Sequence, residues 1–146
     1  MRYRFQCPLR WSDMDAFGHV NNAVYLRYLE EARIDFTSRL ARETAPSAFT
    51  GGSVVARHEI DYLRPLTHQH HPVTIEMWVT KLTAASVTFT YEIKDVDASE
   101  GADAGRPYVR AKTVVVPYDL EEERPRRLTA EEKSFLEGYF DDSHSG

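Results

Sequence analysis

The chain has 146 residues, 42% hydrophobic and 28% charged, which fits one ordinary globular domain and excludes both a disordered polymer and two independent folding units. Net charge is −5, but up to Tyr118 acidic and basic residues balance at 14 each, and beyond it nine acidic residues face four basic ones. No basic excess exists to hold a nucleic-acid backbone, and no run approaches the ~20 apolar residues that cross a bilayer; neither nucleic acid nor membrane is an expected partner. The single cysteine, Cys7, excludes an intrachain disulfide, and the charged start MRYRFQCPLR has no signal-peptide core, so a reducing cytoplasm is the expected location.

Tyr3, Phe5, Cys7, Leu9 and Trp11 alternate with polar partners, a period-two pattern that predicts a first strand, with Pro8 favouring an edge position or a bulge. After the polar stretch SDMDAFGHVNN, Tyr25, Leu29, Ala32, Phe36 and Leu40 recur at helical spacing, which predicts one long helix capped by Asn21 or Asn22. A loop through Gly51 and Gly52 leads to a second strand with Val54, Ala56, His58, Ile60 and Tyr62 on one face. Pro65 and Pro72 then bracket a turn before a third strand through Val73, Ile75, Met77 and Val79. Val87, Phe89, Tyr91 and Ile93 predict a fourth strand and Tyr108 to Val116 a fifth, separated by DVDASEGADAG, which reads as a mobile surface loop. Past Pro117, EEERPRR reads as a solvated charge run. Thr129 and Glu132 form a capping box opening a short helix whose Phe135, Leu136, Tyr139 and Phe140 can dock on the core. One strand, one long helix and then a run of strands argue for an α+β fold with an antiparallel sheet of about five strands packed on one helix.

The chemistry concentrates between the first strand and the helix, where Asp13, Asp15, His19, Asn21 and Asn22 crowd one short segment. A carboxylate upstream of a helix start faces the free N–H groups of the first turn and the positive end of the helix dipole. That pairing suits acyl transfer from a thioester: a carboxylate attacks the carbonyl or activates water, and N–H donors hold the developing oxyanion. No metal or other cofactor is required. Gly18 allows positive φ in the turn, and His19 is placed to orient Asp15, bind substrate or donate a proton. From spacing alone, both aspartates also read as turn caps.

The pattern D-x-D-x-x-G-H-x-N-N within WSDMDAFGHVNNAVYLRYLEEAR resembles the signature of the 4-hydroxybenzoyl-CoA thioesterase-like group of hotdog-fold enzymes, and also that of plant acyl-carrier-protein thioesterases. The match is best from Arg10 to Arg33 and extends loosely through HEIDYLRPL. The resemblance implies a hotdog thioesterase domain over residues 1–118, followed by a charged C-terminal segment, 119–146, with a short helix and a disordered end. It implies Asp15 as the catalytic carboxylate with Asp13 structural or supporting, and Asn22 as the helix-start residue whose N–H polarises the carbonyl. Phe17 stands where the plant enzymes carry asparagine, so their three-residue arrangement does not transfer whole, although His19 matches their histidine. The family also implies a homodimer, or a homotetramer, with sites at the subunit interface.

On this reading the activity is hydrolysis of acyl-CoA, with Asp15, His19 and Asn22 catalytic and Gly18, Asn21, Tyr25, His58 and Arg64 binding substrate. Glu31 is a reserve carboxylate, and His58 otherwise reads as a hydrogen-bonded core histidine. His68, His70 and His71 lack the spaced partners of a zinc site and read as a solvated loop. Arg57, Arg64, Arg110 and Lys112 are candidate contacts for coenzyme A phosphates. The rivals are a non-catalytic acyl-CoA-binding hotdog module and a hydroxyacyl-thioester dehydratase.

Overall fold

The computed structural model describes residues 1–95 and 106–141. Most of the expected surface loop between the fourth and fifth strands, and the expected disordered end, lie outside the described residues.

β1 (Tyr3–Cys7) stops where Pro8 removes a ladder donor, and it lies at one edge of the sheet. The strand is thus shorter than its alternation: Leu9 is buried beyond it, and Trp11 begins a single 3₁₀ turn, Trp11–Asp13, with its ring 75% exposed. α1 (Asn22–Ile34) runs on through wider π-type turns, Asp35–Leu40, into α2 (Ala41–Thr44) without a break, giving one long helical rod. Its buried stripe is Tyr25, Leu29, Ala32, Phe36 and Ala41, with Leu40 only partly covered.

The strands that follow are β2 (Ser53–Tyr62), β3 (Val73–Leu82), β4 (Val87–Asp95) and β5 (Val109–Asp119). All pairings are antiparallel, in the order β1-β3-β4-β5-β2, so β2 forms the second edge. Ile75 pairs with Ile93, Met77 with Tyr91 and Val79 with Phe89, placing these six fully buried side chains together against the rod. Phe36 is the centre of this layer, meeting the rings of Tyr3, Phe89, Phe135 and Tyr139 at centroid distances of 4.9–5.6 Å. The outer face of the sheet carries a ladder of opposite charges, Arg2 to Glu76, Lys94 to Glu76 and Glu92, and Arg110 to Glu92, while the Arg2 guanidinium covers buried Trp78 at 3.7 Å.

β2 departs from simple alternation. A bulge between Val55 and Arg57 leaves Ala56 without a pairing partner, so Val55, opposite the largely buried Val115, joins His58, Ile60 and Tyr62 on the helix side, and Val54 falls on the other face. As an edge strand it is also far more exposed than its composition suggests.

The charge run is only partly a solvated stretch. Arg124–Pro125 forms β6 against the end of β5, and Arg126 reaches the fully buried Glu132 with two bonds of 2.9 Å. Glu132 completes the capping box at the start of α3 (Ala130–Glu137) and also accepts the N–H of Phe49, a residue at φ +58°. Burial raises the Glu132 pKa, but the bonds from Arg126, Thr129 and Phe49 outweigh it and bring the carboxyl down to about 2. Leu136 and Tyr139 dock on the core as expected, whereas the Phe140 ring stays exposed and only its backbone pairs, beside Val79.

Candidate active site

The segment from Arg10 to Asn22 is held by two different sets of bonds. Asp13, 2% exposed, accepts from the backbone and guanidinium of Arg10 at 3.2 and 3.0 Å and from the Tyr28 hydroxyl at 2.6 Å. Burial disfavours its charge, but the hydrogen bonds from Tyr28 and Arg10 win, and its pKa lies below the ordinary value. The Asp13 carbonyl takes the N–H of Asn21 at 3.0 Å, so one residue ties the end of the 3₁₀ turn to the helix cap and to the second turn of α1.

Asp15 opens a tight hairpin. Its N–H donates to the His19 carbonyl at 2.8 Å, its carbonyl takes the Gly18 N–H, and its Oδ1 takes the N–H groups of Phe17 and His19 at 2.8 and 3.2 Å. Gly18 supplies the positive φ of +79° that closes the turn, and open space surrounds the position a Cβ would take. Only one carboxylate oxygen is committed: among the described residues no hydrogen bond engages Oδ2 of this partly exposed side chain. His19 holds Asp15 through its backbone, not its imidazole, and it bridges to Thr67 across a short two-strand contact. Phe17, at the tip of the turn, presents a ring 84% exposed to solvent.

The helix start is nearly but not wholly capped. The Asn21 side chain takes the N–H of Ala23 at 2.9 Å and its carbonyl takes that of Val24 at 2.9 Å, while the N–H of Asn22 has no partner among the described residues. The sequence expectation of a cap at Asn21 or Asn22 resolves to Asn21, whose side chain is thereby occupied. An open carboxylate oxygen and an open N–H at the positive end of a helical rod therefore belong to one short segment.

The other expected site residues lie along two walls. Tyr25 is buried, its hydroxyl on the backbone of Leu66, and burial pushes its pKa up to about 12. Its ring meets that of Tyr62 at 5.4 Å, and the Tyr62 hydroxyl donates to the Asn22 carbonyl at 2.9 Å, fixing the end of β2 to the helix start. His58 is not a core residue of this chain: it is exposed on edge strand β2, with Nδ1 2.9 Å from the buried Thr113 hydroxyl. Partial desolvation of the ring, and then the charge of Arg33, lowers its pKa. Arg64 lies with its guanidinium 3.8 Å over the Tyr108 ring and one of its N–H groups on the Arg106 carbonyl, while its buried Nε has no hydrogen-bond partner among the described residues. Arg57 and Arg110 pair with Glu59 and Glu92.

Beyond Tyr62 a groove of about 210 Å³ follows α1 along β2 and β5, lined by Glu30, Arg33, Ile34, Thr37, Val55 and Phe89 among others. On the opposite side of the rod Glu31, the reserve carboxylate, opens on a cavity of about 300 Å³ with Phe5, Cys7, Arg10, Arg27 and Tyr28. Among the described residues no group of three or more His, Cys, Asp or Glu side chains is placed to hold a metal ion. Sequence reading missed Tyr28, Tyr62, Thr113 and Arg33. Only the three-residue spacing of Arg10 and Asp13 offered a local signal, because the other contacts join distant segments.

A family model for the thioesterase-like superfamily matches residues 9–136. Among solved structures, a thioesterase from Thermus thermophilus, complexed with coenzyme A and Zn, is 30% identical, with 93% of this chain and 92% of that one covered and a TM-score of 0.73. A Xanthomonas campestris protein provisionally assigned as an acyl-CoA thioesterase is 37% identical over 81% of this chain and 93% of its own, with a TM-score of 0.64. A Bacillus stearothermophilus structure, 20% identical, covers 97% of this chain and 98% of its own at a TM-score of 0.79, a likeness of fold.

Proposed function

This chain belongs to the thioesterase-like superfamily, and from that premise we propose that it hydrolyses acyl-CoA thioesters to a free carboxylic acid and coenzyme A. The observation that carries this reading is that one short segment holds both Oδ2 of Asp15 and the N–H of Asn22, neither of which has a hydrogen-bond partner among the described residues. Asp15 serves as nucleophile, forming an anhydride that water then opens, or as general base drawing the proton from an attacking water. In either case the carbon–sulfur bond breaks, the coenzyme leaves as thiolate, and the Asn22 N–H holds the oxygen on which charge develops. His19 flanks this site, Gly18 and Asn21 shape it through the turn and the cap, Tyr25 supports its floor, and His58 stands further along β2.

The unpaired outer edge of β2 and the exposed Val54, Val55, Tyr62 and Leu63 beside it support assembly as a homodimer with sites at the interface, the partner strand continuing the sheet. Cys7, buried and pushed up to about 12 by its apolar surroundings, fits a reducing cytoplasm. No helix among the described residues is long and apolar enough to cross a membrane.

The test is release of free thiol from a panel of aliphatic and aromatic acyl-CoAs by the native protein and by Asp15→Asn. Turnover by the native protein and a loss of roughly 10² or more in kcat with substrate binding retained is the expected result. Tight binding of acyl-CoA by both proteins without turnover sinks the hydrolytic reading and leaves a binding module.

A further inference from the structure

Arg33 is a half-buried guanidinium in the wall of the groove between α1 and β2, and no carboxylate among the described residues lies within ion-pair distance of it. Among the described residues its guanidinium makes one hydrogen bond, a long 3.4 Å contact with the hydroxyl of Tyr91, a fully buried side chain. Arg2 and Arg126, half-buried to a similar degree, each lie within 3.0 Å of a carboxylate. A cation withdrawn from water without a counter-charge is costly to keep, and it favours whatever anion reaches it.

The surroundings of Arg33 include a histidine whose role as donor or acceptor is set by its tautomer. His58 lies close enough for the two charges to interact. With Nδ1 facing the Thr113 hydroxyl, the ring proton sits on Nε2 whenever that hydroxyl donates. Ile34, Val55, Phe89 and Val115 give the groove its apolar lining, beside the hydroxyl-bearing Thr37 and Ser53. Glu30 also lines it and repels an anion, but its side chain is exposed and its field is screened, whereas that of Arg33 is less so.

One face of β2 runs from the helix start to the groove: Tyr62 bonds the Asn22 carbonyl, and Ile60, His58 and Val55 follow on the same face, with Val55 in the groove's wall. Arg33 is eleven residues beyond Asn22, about 16 Å along the axis, and its side chain leans back toward the helix N-terminus. Roughly eight carbons at about 1.2 Å per bond therefore span from a thioester at Asn22 to the guanidinium.

Resting on the hydrolytic reading above, we infer that Arg33, with His58 beside it, selects acyl groups that end in a carboxylate, so that the substrate is the mono-CoA thioester of a medium-length dicarboxylic acid rather than of a plain fatty acid. The planar fork of Arg33 takes the distal carboxylate through two bonds, and the apolar lining takes the methylenes between.

The experiment compares kcat/KM for octanoyl-CoA and for the mono-CoA thioester of octanedioic acid, in the native protein, Arg33→Met and Arg33→Lys. The native protein is expected to favour the dicarboxylic thioester by about tenfold or more, Arg33→Met to bring the ratio to about one or below, and Arg33→Lys to keep part of it. The lysine variant preserves the charge and gives an answer even where methionine disturbs folding. Equal or greater efficiency with octanoyl-CoA in the native protein, or a ratio that Arg33→Met leaves unmoved, overturns the assignment while hydrolysis stands. Absence of turnover with both thioesters while other members of the aliphatic and aromatic panel are hydrolysed also overturns it, whereas absence of turnover across the whole panel removes the hydrolytic reading and this one with it.

Discussion

The knot around Asp13 and the turn around Asp15 are adjacent in sequence and opposite in character. Asp13 is buried, its two oxygens are shared among Arg10 and Tyr28, and its backbone ties down the helix cap. Asp15 is partly exposed, spends one oxygen on its own turn and leaves the other open. A carboxylate whose partners are all satisfied has little left to offer a substrate, and an open carboxylate contributes little to stability. The same residue type therefore divides the labour, with the knot holding the turn to which the proposed function assigns the chemistry.

The sharpest way to break this comparison is to exchange the expected phenotypes. Asp13→Ala leaves the Tyr28 hydroxyl without its acceptor and frees Arg10 from the turn, and is expected to cost about 2–4 kcal/mol of stability in denaturant titration. Asp15→Asn should move the midpoint by less than about 0.5 kcal/mol. Similar losses from both would erase the distinction.

Acid sharpens it further. The folded-state pKa of Asp13 lies below its unfolded value, so its contribution is fully present above the unfolded value and is lost as pH falls through the lower folded one. The stability gap between the native protein and Asp13→Asn should therefore narrow as pH falls into the acid window at and below the ordinary aspartate value of about 3.9; a gap that widens in acid would reverse the sign. Glu132, down at about 2, titrates in the same window, and because it is intact in both proteins it cancels in that difference.

A smaller loss of stability than at Asp13 is expected at Gly18. Space surrounds the added methyl group of Gly18→Ala, so the cost comes from the positive φ alone, about 1–2 kcal/mol. It should appear in kcat before it appears in global unfolding, since the strain falls on the turn that aims Asp15 and not on the knot behind it. A loss of stability with unchanged turnover would place the turn outside the chemistry.

Much of the fold was legible because burial follows period. The alternation of Val73 to Val79 and Val87 to Ile93, the stripe from Tyr25 to Phe36 and the Thr129–Glu132 box each declare themselves within a few residues. β2 did not, since Ala56 carries no mark of a bulge and the exposure of an edge strand depends on which strands remain unpaired. In the site, the pattern pointed to the segment between β1 and α1 and its resemblance assigned the two aspartates different roles, but spacing alone did not reveal the partners that set them apart. The distinction between Asp13 and Asp15 rests on Tyr28, fifteen residues away on the next helix, and the groove draws Val55, Phe89 and Val115 from three strands to meet α1. Such neighbours are set by topology, which leaves no local trace.

The position of β2 also sets an order of assembly. It precedes β3 and β4 in the chain, yet its ladder partner is β5, with Tyr62 opposite Val109 and Ser53 opposite Pro117. During synthesis the rod, β1, β3 and β4 can associate while β2 still waits for a strand that emerges some 47 residues after its own end. Closure of so long a loop is a late and slow event. The wall carrying Val55, His58 and Tyr62 is consequently among the last parts of the molecule to form, and a nascent chain halted before β5 would carry both aspartates but no groove to serve them.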